Sequence, residues 1–302
     1  MVTGALGTAS KYPIYIYNNG DLDRAKATIH MAHANGFPPQ VYTEVLAPFI
    51  DDYHVVCLPS RPLWDPPPAP ETLHSWQVMA DDLIAGLEDH HLDPVIGIGH
   101  SMGGVATLMA SLKRPELFSM MILLDPVLFP RRIVWLLAAG PDWLPRPQLP
   151  LVKKALRRRR QWESKAAAFE RFRNRSLFRR WSDAALHAYI EGLTRPLSED
   201  SQTIALRYAP EWEARIYETA APSIRGWWRW ISDITVPTIV LWGAETDTFT
   251  SLSAQLWTQV RPDIPVKPIA AAGHLFPMEK PQRTADQIEQ FFASKAIEQE
   301  RH

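Results

Sequence analysis

The stretch of sequence that decides the fold is residues 95–104, which read VIGIGHSMGG. Its first half is apolar and opens on β-branched residues, a pattern typical of a buried strand. Residues 105–112 then favour a helix, which the proline at position 115 would end. The motif Gly99-x-Ser101-x-Gly103 therefore falls at a strand-to-helix turn, which is the setting of a nucleophile elbow.

The two glycines have a steric purpose in this setting. A serine at so sharp a turn adopts a strained backbone, and side chains two residues to either side would collide with neighbouring elements. Gly99 and Gly103 remove those side chains, so that the Ser101 hydroxyl stands clear at the tip of the sheet. The start of the helix adds unpaired N–H groups and a positive dipole end. The pattern favours a nucleophile over a glycine-rich packing turn around an ordinary serine.

The composition of the whole chain is that of a globular protein. Its 302 residues, 46% of them hydrophobic, suffice for one large domain or a domain with an insertion. No stretch approaches the roughly 20 apolar residues of a transmembrane helix. The N-terminus lacks a basic segment followed by an apolar run, and the single cysteine, Cys57, excludes an internal disulfide. These features predict a cytoplasmic enzyme.

Short apolar strands alternate with helical stretches along much of the chain. Strand patterns occur at residues 12–17, 27–32, 54–59, 95–101, 120–126, 234–243 and 266–270. This alternation predicts an α/β fold with a mostly parallel, eight-stranded-type sheet that helices flank on both faces.

The alternation stops in the middle of the chain. Between residues 127 and 233 no strand pattern survives, and helices are predicted at about 131–139, 149–172, 182–192 and 199–217. We therefore predict a core formed by residues 1–126 and 234–302. A helical cap, residues 127–233, is inserted between two strands of the core sheet.

Two polar residues after later strands complete a catalytic constellation with the serine. Asp247 and His274 each lie just beyond a predicted strand, where side chains reach the carboxyl edge of the sheet. The order Ser101…Asp247…His274 is that of the α/β-hydrolase triad. Asp125 is the rival acid, because it ends the strand directly after the nucleophile strand. The alternative for Asp247 is a turn-capping aspartate.

An oxyanion formed at Ser101 would need preorganised donors. One is the backbone N–H of Met102, and the second is expected from the loop of residues 33–37. With these residues the chain resembles capped serine hydrolases of the α/β-hydrolase fold, similar to carboxylesterases and monoacylglycerol-lipase-like enzymes. The family's His-Gly-X loop corresponds to His33-Ala34-Asn35, in which alanine replaces the usual glycine. Either Asn35 or Gly36 then supplies the second N–H.

The resemblance implies a serine carboxylesterase that cleaves apolar small-molecule esters through an acyl-enzyme on Ser101. It implies no metal or organic cofactor, and the sequence has no Cys/His cluster with metal-ligand spacing. Lactone hydrolysis, C–C bond hydrolysis and cofactor-free perhydrolysis would use the same triad. A ligand receptor on this fold is the alternative that is not an enzyme.

The predicted cap is rich in aromatic residues, which favours packing of its own core. The sharper hypothesis is that some of them line an apolar pocket above Ser101. The candidate pocket residues are His33, Phe37, His100, Trp143 and Trp228.

The predicted cap is also basic. Residues 131–230 hold 20 Lys and Arg against 10 Asp and Glu, whereas the remainder holds 12 against 23. We predict a solvated basic face that pairs with the acidic core. The alternative is attraction to an anionic membrane surface or to acidic substrates. No nucleic-acid-binding module is recognisable, so nucleic acid is not predicted as a partner.

Overall fold

A computed structural model describes residues 6–7, 10–18, 25–130, 132–134 and 149–300. Its strands are β1 (Leu6–Gly7), β2 (Ile14–Ile16), β3 (Thr28–Ala32), β4 (His54–Cys57), β5 (Val95–His100), β6 (Phe118–Leu124), β7 (Gln161–Trp162), β8 (Thr194–Pro196), β9 (Ile204–Leu206), β10 (Thr238–Gly243) and β11 (Val266–Ile269). Its helices are α1 (Thr43–Leu46), α2 (Gln77–Asp89), α3 (Met102–Lys113), α4 (Pro150–Leu156), α5 (Lys165–Arg173), α6 (Asp183–Leu193), α7 (Pro210–Ser223), α8 (Trp227–Trp230), α9 (Ser251–Val260), α10 (Phe276–Glu279) and α11 (Pro281–Glu300).

Eight of the strands form one sheet, in the order β1-β2-β4-β3-β5-β6-β10-β11. The pairs from β4 to β11 are parallel, and only β1 and β2 join antiparallel. The predicted α/β-hydrolase fold with a mostly parallel sheet is therefore confirmed. β5 lies near the middle of the sheet and is buried along its whole length. Its carboxyl end, and with it Ser101, thus lies between the ends of β3 and β6.

The segment between β6 and β10, residues 127–233, is called the insert below. Its described part is helical for the most part, but it also contains a three-stranded antiparallel sheet in the order β7-β9-β8. The prediction that no strand occurs here was wrong. Each of these strands is two or three residues long, too short to show an alternation of apolar and polar residues.

The short strands also change the predicted helices of the insert. The helix predicted at 149–172 is divided into α4 and α5 by β7, and the helix predicted at 199–217 begins later, as α7. The prediction at 182–192 agrees with α6 within one residue at each end. Most of the helix predicted at 131–139 lies outside the described residues.

The insert packs against the long connection between β4 and α2. Trp212 donates its indole N–H to the Pro68 carbonyl at 3.0 Å, and Arg207 donates to the Leu63 carbonyl at 2.9 Å. This connection leaves the same edge of the sheet as Ser101. The insert therefore contacts a connection at the edge of the sheet where Ser101 lies.

The basic residues of the insert pair mainly within the insert itself. Its described ion pairs are Arg158–Glu213, Arg160–Glu211, Lys165–Glu191, Arg173–Asp183 and Arg215–Glu218. Arg180 forms ion pairs with the core, at 2.8 Å to Glu245 and 3.4 Å to Glu279. The predicted pairing of the basic region with the acidic core is thus seen at Arg180, while the five ion pairs named above lie within the insert. Among the described helices, none has the length and apolar character needed to cross a membrane.

Candidate active site

Ser101 occupies a strained turn between β5 and α3. Its backbone has φ 57° and ψ −119°, in a region that residues with a side chain seldom adopt. The turn can be this tight because Gly103, two residues after Ser101, has no side chain. A Cβ on Gly103 would lie 2.2 Å from the carbonyl oxygen of Ala32. A Cβ on Gly99 would likewise lie 2.6 Å from the Cα of Gly104. The local geometry is thus that of the predicted elbow.

A row of hydrogen bonds joins Ser101 to two further side chains. The Nε2 atom of His274 lies 2.9 Å from the Ser101 Oγ atom, and its Nδ1 atom lies 2.5 Å from the Oδ2 atom of Asp125. An ionised carboxylate only accepts hydrogen bonds, so the proton of the neutral imidazole is on Nδ1. Nε2 is then an acceptor for the Ser101 hydroxyl. In this arrangement the imidazole can remove the hydroxyl proton.

Asp125 is held by donors on two sides of its carboxylate. The Gly243 N–H donates to Oδ1 at 3.2 Å, and the Thr246 hydroxyl donates to Oδ2 at 2.6 Å. Burial raises the pKa of the carboxyl above its ordinary value, while the hydrogen bonds from His274, Thr246 and Gly243 oppose that rise. Sequence analysis did not identify Thr246, although it lies in the same short loop as the predicted acid.

The prediction that Asp247 orients His274 was wrong. Asp247 is exposed, and its described hydrogen bond comes from the neighbouring Thr248 hydroxyl at 3.4 Å. Asp247 lies four residues past the end of β10, whereas Asp125 directly follows β6. A backbone φ of 45° at Asp125 turns its chain immediately after the strand. The rival acid named from the sequence is therefore the one in contact with the imidazole.

The backbone amides around the turn of residues 33–37 differ in their partners. The Ala34 N–H donates to the Tyr42 hydroxyl at 2.9 Å, and the Gly36 N–H faces the Tyr208 hydroxyl. In the described part of the chain, the N–H groups of Asn35 and Met102 donate to no protein acceptor. Two unused donors near Ser101 are what an oxyanion requires. Asn35 is the candidate for the second donor that we carry forward, because the Gly36 N–H faces a tyrosine hydroxyl.

His100, the residue before the nucleophile, is part of a buried chain of hydrogen bonds. Its Nε2 atom lies 2.9 Å from the His274 carbonyl oxygen, which only accepts, so Nε2 carries the proton. Its Nδ1 atom then accepts from the Tyr42 hydroxyl at 2.8 Å, which in turn accepts from the Ala34 N–H. Burial lowers the pKa of His100 well below its ordinary value, which keeps the ring neutral. This chain connects the turn, the elbow and the loop of His274.

The five residues predicted to line a pocket differ in where the structure places them. Both nitrogens of His100 and of His33 are used by protein partners, so these two buried rings support the loops around the site. Phe37 packs against the insert, with ring centroids 6.0 Å from Trp181 and 5.6 Å from Tyr189. Trp228 is half-buried beside Trp227, and Trp143 lies outside the described residues.

A small cavity borders the turn of residues 33–37 and the start of α3. Its volume is about 50 Å³, and its lining includes His30, His33, Met102, Trp64 and Asp82. The Nε2 atom of His30 accepts from the Leu58 N–H at 3.1 Å, which leaves its buried Nδ1 atom without a protein partner. A space of this size suits a few water molecules. Within the described ranges, no group of three His, Cys, Asp or Glu side chains is arranged to hold a metal ion.

The buried histidines beneath the turn predict acid lability. Burial lowers the pKa of His30 to about 3 and of His33 to about 4, whereas in the unfolded chain both titrate near 6.5. Below about pH 6.5 the unfolded chain binds protons that the folded chain does not. The free energy of unfolding is therefore expected to decrease as the pH is lowered, by up to about 1.4 kcal/mol per pH unit for each histidine. The fall from His33 ends near pH 4 and that from His30 near pH 3.

Denaturant unfolding at several pH values between 7 and 5 would measure this dependence. Replacing His33 by glutamine should make the slope smaller, by about 1 kcal/mol per pH unit on average over this range and by about 1.4 kcal/mol per pH unit near pH 5. The matched control is His74→Gln, since His74 is exposed and its replacement should leave the slope unchanged. Equal slopes for the wild type and His33→Gln would contradict the assignment.

Comparisons with known proteins cover nearly all of the region described above. The model of the alpha/beta hydrolase family matches residues 31–287. The abhydrolase domain-containing protein ACTT2 of Alternaria alternata is 27% identical over 229 residues, which cover 65% of this chain and 81% of that protein. The uncharacterized hydrolase YugF of Bacillus subtilis (strain 168) is 22% identical over 254 residues, or 83% of this chain and 84% of that one.

A solved structure gives the same result for the fold. E-2-(acetamidomethylene)succinate hydrolase matches with a TM-score of 0.73 at 15% sequence identity. The match covers 96% of this chain and 99% of that one. At this identity the likeness concerns the fold.

Proposed function

The chain belongs to the alpha/beta hydrolase family, and on this premise we propose that it is a serine hydrolase that cleaves carboxylic esters of apolar small molecules. The observation that carries the proposal is the row Ser101–His274–Asp125, with hydrogen bonds of 2.9 Å and 2.5 Å. An aspartate, a histidine and a strained serine in this order have the parts needed for acyl transfer.

The proposed reaction begins with attack on the ester carbonyl. His274 takes the hydroxyl proton at Nε2 while the Ser101 Oγ atom bonds to the carbonyl carbon. Asp125 holds the imidazole in the required tautomer and stabilises its charged form. The negative charge that develops on the carbonyl oxygen is met by the N–H groups of Met102 and Asn35.

The second half of the proposed reaction releases both products. His274 gives its proton to the leaving alkoxide, so that the alcohol departs and the acyl group remains on Ser101. A water molecule then attacks the acyl-enzyme and gives a proton to His274. The carboxylic acid leaves with the regeneration of the serine hydroxyl. No cofactor enters these steps.

We propose further that the insert acts as a cap over this site and favours apolar acyl groups. The support for this is the packing of Phe37, the last residue of the turn, on Trp181 and Tyr189 of the insert. A site bounded by large aromatic side chains favours apolar ligands.

A series of p-nitrophenyl esters from acetate to laurate would test the proposal, together with a fluorophosphonate probe. We expect hydrolysis above background, an optimum acyl length that reflects the pocket, and one equivalent of phosphonate on the peptide that contains Ser101. Labelling without hydrolysis of any ester would contradict the esterase assignment, and would favour lactone, C–C or perhydrolase chemistry, or a receptor. Absence of labelling would contradict the nucleophile itself.

A further inference from the structure

The side chain of Asn35 connects the core to the insert. Its Nδ2 atom donates to the Glu213 carbonyl at 3.1 Å, and its Oδ1 atom accepts from the Tyr208 hydroxyl at 2.8 Å. Both partners belong to the insert, while the backbone of Asn35 belongs to the turn after β3. The side chain is 6% exposed, so these two hydrogen bonds are shielded from water.

Tyr208 also contacts the backbone of the turn. Its hydroxyl faces the Gly36 N–H and donates to Asn35. Tyr208 is fully buried, and burial raises its pKa far above the ordinary value, so the hydroxyl stays protonated and remains a donor. Tyr42 holds the Ala34 N–H on the other side of Asn35. On one side of Asn35 the Ala34 amide is therefore held by a tyrosine hydroxyl of the core, and on the other the Gly36 amide faces a tyrosine hydroxyl of the insert.

Glu213 is itself held rigidly within the insert. Its carboxylate pairs with Arg158, and both groups lie against the turn, since a Cβ on Gly36 would be 3.3 Å from the Arg158 Nη1 atom and 3.4 Å from the Glu213 Cδ atom. The helix that carries Glu213 packs against the helix that ends just before Arg158, through Val152, Ala155 and Ala214. Gly36, with φ 76°, is the residue type that permits so close an approach.

From these contacts we propose that Tyr208 and Glu213 are positioning residues for the oxyanion hole. By holding the side chain of Asn35 from two sides, they leave the Asn35 N–H directed at the carbonyl oxygen of the substrate. The inference rests on the proposed function and extends it: hydrolysis requires the insert to be seated on the turn.

The expected effect is on the chemical step. The oxyanion contact strengthens only as charge develops, so loss of its alignment lowers kcat and leaves KM nearly unchanged. Removal of a whole oxyanion donor costs about 10²–10³-fold in kcat. Asn35→Ala keeps the amide but loses both side-chain hydrogen bonds, so we expect a loss of about 10–100-fold. Tyr208→Phe loses a single hydroxyl and should lower kcat about 10-fold.

The experiment measures kcat, KM, the pH profile and the unfolding midpoint for four variants of the full chain. They are Tyr208→Phe, Asn35→Ala, the combination of the two, and the control Tyr17→Phe. Tyr17 is also buried, and its hydroxyl donates to the Pro39 carbonyl at 2.7 Å, next to the same loop. Its described hydrogen bond and ring contact are both with residues of the core. This control loses the same group and a similar hydrogen bond, so it reports the cost of a merely structural loss.

We expect Tyr17→Phe to lower the unfolding midpoint while kcat stays within about twofold of wild type. Tyr208→Phe should lower kcat with an unmoved pH profile, because the contacts of His274 are intact. The double variant should be no slower than Asn35→Ala alone. The Tyr208 hydroxyl acts through the side chain of Asn35, and Asn35→Ala has already removed that side chain.

Two results would overturn this inference while leaving the proposed function intact. One is an active wild type in which Tyr208→Phe and Asn35→Ala keep the kcat of Tyr17→Phe. The other is a loss confined to KM, which would assign the contacts to substrate binding. A wild type that neither hydrolyses the esters nor reacts with the fluorophosphonate at Ser101 would instead overturn the proposed function, and this inference with it.

Discussion

Replacement of Ser101 by alanine is expected to lower kcat for ester hydrolysis by about 10⁵–10⁶-fold, with KM little changed. The substitution should leave the backbone unchanged, because alanine retains the Cβ atom and tolerates a φ of 57° about as well as serine does. What is lost is the hydroxyl 2.9 Å from the His274 Nε2 atom. The protein should stay folded, with an unfolding midpoint close to that of the wild type.

Ser111→Ala is the matched control for this measurement. Ser111 is buried in α3, the helix that follows Ser101. Its hydroxyl donates to the Leu108 carbonyl at 2.9 Å, away from the elbow. Its loss should change kcat less than about twofold. Steady-state hydrolysis of the best p-nitrophenyl ester by both variants checks the prediction. If Ser101→Ala kept more than a small fraction of the activity, a covalent serine mechanism would be untenable.

The sequence predicts most of the core because each signal there is local. The strand of residues 95–100 and the helix after it follow from apolar periodicity, and the glycines on both sides of Ser101 follow from the crowding of a sharp turn. The distances that a Cβ atom would have at Gly99 and Gly103, 2.6 Å and 2.2 Å to backbone atoms, give the same physical reason in the folded chain.

The contact to the acid could not be predicted in the same way. Asp125 and Asp247 both follow strands at one edge of the sheet, and the sequence alone does not indicate where their side chains point. The deciding features are the positive φ of Asp125 and its donors from Gly243 and Thr246. All three depend on how β6 and β10 lie side by side, which is a tertiary property.

The insert was the least predictable part for a related reason. Its short strands β7, β8 and β9 are stabilised by pairing with one another, and the paired residues Gln161 and Ala205 are 44 positions apart in the sequence. The link between Asn35 and Tyr208 spans 173 positions, and nothing in either local sequence indicates the other partner. Long-range hydrogen bonds of this kind define the site but leave no periodic pattern in the sequence.

The second large effect concerns the acid, and Asp125→Asn is expected to lower kcat by about 10⁴-fold. An asparagine in this place is neutral and can present an N–H group to the His274 Nδ1 atom. The imidazole would then carry its proton on Nε2 and could no longer accept one from Ser101. Asp247→Asn is the matched control, because Asp247 is exposed and should change kcat less than about twofold.

Comparison of kcat/KM across pH for the two variants separates an effect on catalysis from an effect on folding. Asparagine retains an oxygen that can accept from the Thr246 hydroxyl or the Gly243 N–H, so circular dichroism should report a folded Asp125→Asn protein. A large loss in Asp247→Asn beside an active Asp125→Asn would reverse the assignment of the acid. Losses of equal size in both would mean that the loop of residues 243–247 must move with Asp125 during catalysis, and that a single fixed triad does not describe the reaction.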